Sequence, residues 1–340
     1  MNYKVSSHCR LCLRNKIKRI FSLKPIPLGE KYFNNKIKSS KILRYPYSIG
    51  FCKKCKNIQT MEVIKNKFLW KNYTYFSSQT KSIVSHFKNV SKIILKKYKI
   101  SEKNLIIDIG SNDGSLLQNF KKRKIRVLGI DPAKNVANFA NKLGINTLVG
   151  IFNKKIEKKI LKKNGKAKII TAFNVFAHAE DLRGMLSSIN NILDDNGVFI
   201  FEVQYLGDIL DRRILGTFFH EHMYHHSITS LNNLFKSFDL NFYDVMKVKI
   251  QKGSIIGFVK KDQKINKSKR FLKLLKMEKR NKYCTESRLI DFKKFILNSE
   301  KKTNKIIIKQ NFKKLAGYGA ARSGPNLAIN FGIEKKLNYL

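Results

Sequence analysis

Between residues 82 and 205 the hydrophobic positions switch repeatedly between two periods. SIVSHFKNVSKIILKKY (82–98) spaces its apolar residues as one face of a helix, and NLIIDIG (104–110) is a continuous apolar run of strand length. SLLQNFKKR (115–123) returns to helical spacing and RVLGID (126–131) to strand. KNVANFANKLG (134–144) predicts a helix ended by glycine, residues 145–148 a short strand, and AKIITAFNV (167–175) a longer one. DLRGMLSSINNIL (181–193) predicts a helix and VFIFEVQY (198–205) a strand. Strands alternating with helices predict an α/β fold on a parallel sheet, with ligands at the carboxyl ends of its strands. Three blocks follow: 1–65, rich in cysteine and proline; 66–240, the alternating stretch; and 241–340, which opens on a strand pair, passes through a Lys-rich helical stretch and ends in a second glycine loop.

Composition changes this picture little. Hydrophobic residues make up 43% of the chain, with 24 Phe and 13 Tyr, which excludes a disordered chain. No run approaches the ~20 apolar residues of a membrane span, and the N-terminal MNYKVSSHCRLC lacks a signal-peptide core. A soluble cytoplasmic protein with no membrane partner is expected. The net charge of +47 resembles a nucleic-acid footprint. Its 70 basic residues, however, are spread over the whole chain and are mostly Lys, as a biased composition produces, and no basic segment is interleaved with aromatics as a stacking platform. No specific nucleic-acid partner is therefore expected. Of the 23 acids, 13 fall between Glu102 and Glu221, which places the functional carboxylates there. The basic excess should attract anions such as diphosphates in a salt-sensitive way.

Cys9-x-x-Cys12 and Cys52-x-x-Cys55 supply four thiolates that can close a tetrahedral zinc site, flanked by Arg10, Lys53 and Lys54. Such a site has no open position, so it staples a small lobe; unpaired core cysteines are the alternative. Cys284 stands apart as a packing or surface residue.

In LIIDIGSNDG (105–114), a buried strand turns sharply into a helix through Asp108-x-Gly110-x-x-x-Gly114. The two glycines let backbone approach a ligand closely. Asp108 can bond loop amides or the amino-acid part of a cofactor, and Asp131, at the next strand end, can accept both ribose hydroxyls. A dinucleotide site prefers G-x-G-x-x-G around pyrophosphate. That spacing is absent, and two acids in the loop suit the cationic sulfonium of S-adenosylmethionine better than a diphosphate.

His178 follows the strand 167–175 and should sit at the sheet's carboxyl edge. FFHEHMYHHS (218–227) packs His220, Glu221, His222 and Tyr224 together, with His225 and His226 following in the same segment. A histidine there can remove a proton beside a carbonyl, with a glutamate to orient it; a metal site and core packing are the alternatives. In LAGYGAARSGPNLAINFGI (315–333), Gly319, Arg322 and Ser323 can hold a diphosphate at a helix start marked by Pro325. A purely structural turn is the alternative.

The order of paired CxxC motifs, IDIGSNDGSLL, NVFAH, FEVQYL, a His-Glu-His segment and GYGAARSG resembles the zinc-containing sugar C-methyltransferases that act on nucleotide-linked 4-keto-deoxysugars. The resemblance runs through nearly the whole chain. It implies an α/β fold with a central Rossmann-like methyltransferase sheet (66–240), a small N-terminal zinc-binding lobe (1–65) and a C-terminal Rossmann-like substrate-binding domain (241–340). It implies S-adenosylmethionine held by Asp108, Gly110, Ser111, Asn112, Asp113, Gly114, Asp131 and Asn174, and zinc on Cys9, Cys12, Cys52 and Cys55. It also implies enolate chemistry, with His222 as base, Glu221 beside it, and His178 and Tyr75 at the substrate face, Tyr73 being the alternative aromatic. The nucleotide sugar would be held by Tyr75, Tyr224, Gly319, Arg322 and Ser323. Two departures stand out. The family reads Tyr-His-Glu-His where this chain has Phe219, so a hydroxyl that would steady the enolate oxygen is missing. The chain also stops soon after the second glycine loop, where family members continue, so the C-terminal domain is expected to be incomplete. A different small acceptor (O- or N-methylation) and a zinc-containing nucleic-acid-binding protein are the alternative functions.

Overall fold

A computed structural model describes residues 2–29, 42–69, 73–318 and 324–338. Contacts divide the chain into two units: Met1–Leu69 with Leu206–Ser227 and Glu278–Leu340, and Trp70–Tyr205 with Ile228–Met277.

In the first unit, β1 (Tyr3–Val5) pairs antiparallel with β5 (Glu62–Ile64), while β2 (Lys18–Ile26), β3 (Tyr45–Phe51) and β4 (Ile58–Thr60) form an antiparallel sheet in that order. A one-turn helix α1 (Asn66–Leu69) follows.

The second unit opens on α2 (Lys81–Lys97), whose buried Ile83, Phe87, Val90, Ser91 and Ile94 recur at helical spacing. Then come β6 (Leu105–Ile109), α3 (Gln118–Lys121), β7 (Arg126–Asp131), α4 (Lys134–Lys142), β8 (Thr147–Val149), α5 (Lys154–Asn164), β9 (Ala167–Phe173), α6 (Leu182–Ile192) and β10 (Leu193–Gln204). α7 (Leu206–Asp211) belongs to the first unit; α8 (Ile228–Lys236), β11 (Asn241–Val248) and β12 (Ser254–Lys260) return to the second. The chain then runs through α9 (Lys269–Arg280), α10 (Glu286–Gln310) and α11 (Gly324–Asn330).

The sheet of the second unit has the order β11-β12-β10-β9-β6-β7-β8. β10, β9, β6, β7 and β8 are parallel, whereas β12 runs antiparallel to both β10 and β11. From β6 the chain winds outward through β7 and β8 on one side and through β9 and β10 on the other. The carboxyl end of β6 is thus the switch point where such sheets bind ligands. Ile106, Leu117, Phe120, Ile169, Ile200 and Phe258 belong to the core that fixes this strand end.

The differences from the sequence reading have local causes. The helix read over 115–123 is confined to α3, because Asp113 Oδ1 accepts from the amide and hydroxyl of Ser115 and holds a turn there. Residues 241–260, read as opening the C-terminal block, are two strands of the central sheet. Of the strand read before the second glycine loop, the described residues 315–318 show a single β-bridge position at Ala316, and the backbone of Leu315 exchanges hydrogen bonds with Asn338. Among the described residues, no helix is long and apolar enough to cross a membrane.

Candidate functional site

The glycine loop leaves β6 at Asp108, which is 4% exposed and accepts a 2.6 Å bond from Thr171 Oγ1 on β9. Burial pushes its carboxyl up to about 7; the Thr171 bond offsets part of this, and Asp131 adds to it by charge repulsion. Gly110 and Gly114 have φ of +70° and +78°. A Cβ at Gly110 would lie 2.4 Å from Val175 Cγ2, so the loop touches the segment that follows β9. Asp131 ends β7 with one oxygen on the amide of Asn112 (2.9 Å) and the other on that of Ala133 (2.8 Å). Each oxygen keeps a second lone pair for a hydroxyl.

Asn112 and Asp113 do a job that the spacing did not show. Asn112 Oδ1 accepts from the amide of Ser77 (2.9 Å), its Nδ2 donates to the carbonyl of Tyr75 (3.0 Å), and Asp113 Oδ2 accepts from the amide of Ser78 (2.8 Å). Asn135 on α4 donates to the carbonyl of Tyr73 (2.8 Å). The segment 73–78 is therefore laced to the glycine loop, which places the half-buried Tyr75 beside it. His178 is half-buried in the turn after β9, its amide bonded to the carbonyl of Val175. The Ser111 hydroxyl lies against Gly129 of β7, 2.5 Å from where a Cβ there would stand.

Sequence reading missed two residues of this unit. Glu202 on β10 is fully buried; its Oε1 accepts from Asn174 Nδ2 (3.3 Å) and its Oε2 lies 2.5 Å from His86 Nε2 on α2. Glu202 stood inside FEVQYL, but an acid within an apolar strand run carries no label for its partner.

The His-Glu-His segment belongs to the first unit. It adds an edge to the β2-β3-β4 sheet: Thr60 N donates to the Met223 carbonyl (3.0 Å), His225 N to the Ile58 carbonyl (3.0 Å), and Thr60 Oγ1 to the His222 carbonyl (2.8 Å). His222 Nδ1 lies 2.8 Å from the Thr217 carbonyl and 3.0 Å from its hydroxyl. Donation to the carbonyl places the proton on Nδ1 and makes Nε2 the basic nitrogen. The Thr217 carbonyl is thus an acceptor that orients the ring. The Phe219 ring packs 4.0 Å from the His222 ring, centre to centre. Glu221 is 3% exposed, and burial raises its carboxyl above the ordinary range against the amides of Glu221 and Gly29.

The other histidines of the segment are core residues. His220 donates to the Pro46 carbonyl (3.0 Å) between Tyr45 and Tyr47, and burial pushes it down to about 4. Burial holds His225 at about 3. Tyr224, read as facing the sugar, is 2% exposed, with the Arg10 guanidinium 4.8 Å over its ring. Arg10 also donates to the carbonyls of Thr60 (2.8 Å) and Met223 (2.7 Å).

The four cysteines converge: their Sγ atoms lie within 4.8 Å of one another, with Cys9 3.4 Å from Cys55 and Cys12 3.7 Å from Cys52. A zinc tetrathiolate with ~2.3 Å bonds has edges of ~3.8 Å, so the spacing fits that ion. The two knuckles repeat one turn: the amides of Leu13 and Lys56 return to the carbonyls of Cys9 and Cys52, and both residues have positive φ (59° and 62°). A hydrogen bond from Cys55 holds Cys9 down at about 5 and pushes Cys55 up. Without a cation, neighbouring thiols cannot all ionise. Gly319, Arg322 and Ser323 lie outside the described residues.

A methyltransferase-domain profile matches residues 86–245, and a C-methyltransferase C-terminal-domain profile matches 249–340. The chain is 29% identical over 250 residues to the C-methyltransferase NovU of Streptomyces niveus, covering 74% of this chain and 60% of that protein. It thus spans less than two thirds of the curated relative it matches. Among solved structures, magnesium protoporphyrin IX methyltransferase of Synechocystis is similar at 16% identity (55% of this chain, 89% of that one, TM-score 0.41). The YcgJ protein of Bacillus subtilis is similar at 13% (52% and 99%, TM-score 0.40).

Proposed function

Because the chain belongs to the S-adenosylmethionine-dependent C-methyltransferases, we propose that it methylates a carbon beside the keto group of a nucleotide-linked keto-deoxysugar. S-adenosylmethionine, when bound, supplies a methyl group activated on a sulfonium. Gly110, Gly114 and Asp131 would hold it at the switch point of the sheet, with Asp108 favouring its positive charge. His222 Nε2 would take the proton from the substrate carbon, leaving the C–H electron pair in an enolate; that carbon would form its bond to the methyl group as the methyl–sulfur bond breaks and sulfur leaves as a neutral thioether. The observation that carries this role is the Nδ1 bond to Thr217, which fixes the ring with Nε2 basic. Tyr75 and His178 are the proposed donors to the enolate oxygen, since Phe219 offers none. The second glycine loop, with Gly319, Arg322 and Ser323, would take the diphosphate. Zinc on the four cysteines would be closed and structural, in the reducing cytoplasm that keeps thiols free.

The test is incubation with S-adenosylmethionine and a panel of nucleotide-4-keto-deoxysugars in deuterated water. We expect a carbon-methylated product and deuterium at the carbon beside the keto group. His222→Asn should lose both by about two to four orders of magnitude. Cofactor binding without methyl transfer or exchange would overturn the sugar reading. Phe219 motivates a second reading, transfer to an oxygen or nitrogen acceptor, which would give product without exchange.

A further inference from the structure

We propose that Glu202 and His86 are positioning residues for S-adenosylmethionine, acting through Asn174. Asn174 follows β9 and adopts a positive φ of 59°, a conformation that asparagine tolerates better than most residues. Its amide N–H donates to the Glu202 carbonyl at 2.8 Å and its side-chain Nδ2 to Glu202 Oε1 at 3.3 Å, so one residue holds both its backbone and its head group. The next residue, Val175, lies against Gly110, which puts Asn174 at the edge of the cofactor loop.

The chemistry of Glu202 fixes the direction of the amide. A carboxylate only accepts hydrogen bonds, so Asn174 must turn its NH2 toward Glu202 and its Oδ1 away from it. Asn174 is partly exposed whereas Glu202 is fully buried, so the outward group is an acceptor. An acceptor suits a ligand that carries an ammonium and a sulfonium. His86 completes the device: Nε2, 2.5 Å from Oε2, supplies the second oxygen of a carboxylate with no access to water, and so keeps Oε1 turned to Asn174. Loss of either partner lets the amide flip and present its NH2, which repels a cationic ligand.

The inference rests on S-adenosylmethionine being the cofactor but not on the identity of the acceptor. Its test is calorimetric titration of the full chain with S-adenosylmethionine, with folding followed by circular dichroism and thermal midpoint. Asn174→Ala and Glu202→Gln should each weaken binding about tenfold or more, the size of one charge-assisted hydrogen bond. The double variant should bind no more weakly than Asn174→Ala, because Glu202 acts through Asn174. His86→Gln, whose amide still donates to Oε2, should stay within about threefold of the wild type. Should Glu202→Gln not fold, His86→Phe replaces it in the same cycle. Wild-type affinity in Asn174→Ala, or losses that add in the double variant, would overturn the inference alone. A wild type that does not bind S-adenosylmethionine would overturn the cofactor assignment itself.

Discussion

Asp108 holds its proton to about 7 in the folded chain, whereas an unfolded aspartate releases it near ~3.9. Between those values the native state binds the extra proton, so this group lowers stability as pH rises from about 4 to about 7. A cationic ligand favours the carboxylate. S-adenosylmethionine affinity should therefore rise over the upper part of that window, with proton release visible as a binding heat that differs between buffers. Asp108→Asn should bind more weakly and lose the pH dependence; an unchanged slope would show that another group titrates. Phe219 is the second residue whose chemistry can be changed directly. If the missing hydroxyl limits the rate, Phe219→Tyr should raise kcat; one donor to a developing oxyanion contributes ~3–4 kcal/mol where the geometry allows. Both residues were identified from sequence as positions, but only burial gave Asp108 its pKa and only ring packing put Phe219 on His222.

At the scale of elements, two turns are decisive. The β6 loop needs Gly110 both for its φ of +70° and for its approach to Val175. Gly110→Ala should cost about 2 kcal/mol or more in urea unfolding and abolish cofactor binding, since strain and overlap act together. The cysteine knuckles carry β4, and β4 pairs with residues 223–225 and holds the His222 carbonyl. Chelation, or Cys52→Ser, should therefore raise amide exchange not only in 45–60 but also in 222–226, read by mass spectrometry alongside zinc content. Unchanged exchange in 222–226 after chelation would mean that the knuckles do not support that segment. The strands β6 and β7 follow the apolar pattern almost residue for residue. The pairing of β4 with a segment more than 160 residues later could not be read, because an edge strand's partner is chosen by three-dimensional proximity and not by its own alternation.

For the whole molecule, the basic residues behind the charge of +47 are spread along the entire chain. A nucleoside diphosphate should bind more weakly as salt rises from 50 to 300 mM, by several-fold, since the Debye length shrinks below ~10 Å over that range. Duplex DNA or RNA should bind weakly at physiological salt; tight binding with a steep salt slope would instead support a nucleic-acid partner. Contacts group residues 206–227 with the cysteine lobe, so the consecutive blocks of the sequence become two units assembled from separate chain segments.

The sequence by itself determined the strand–loop–helix at 105–131, the four-cysteine set and the presence of a His-Glu-His segment, because each depends on residue types at short fixed spacing. Tertiary structure alone decided that His220 and His225 are core residues, that Asn112 and Asp113 lace the segment before α2 to the loop, and that His86 and Glu202 meet across 116 positions. Those outcomes depend on burial and on partners brought together by the sheet. A polar residue does not encode, in its own neighbourhood, which distant group will satisfy it.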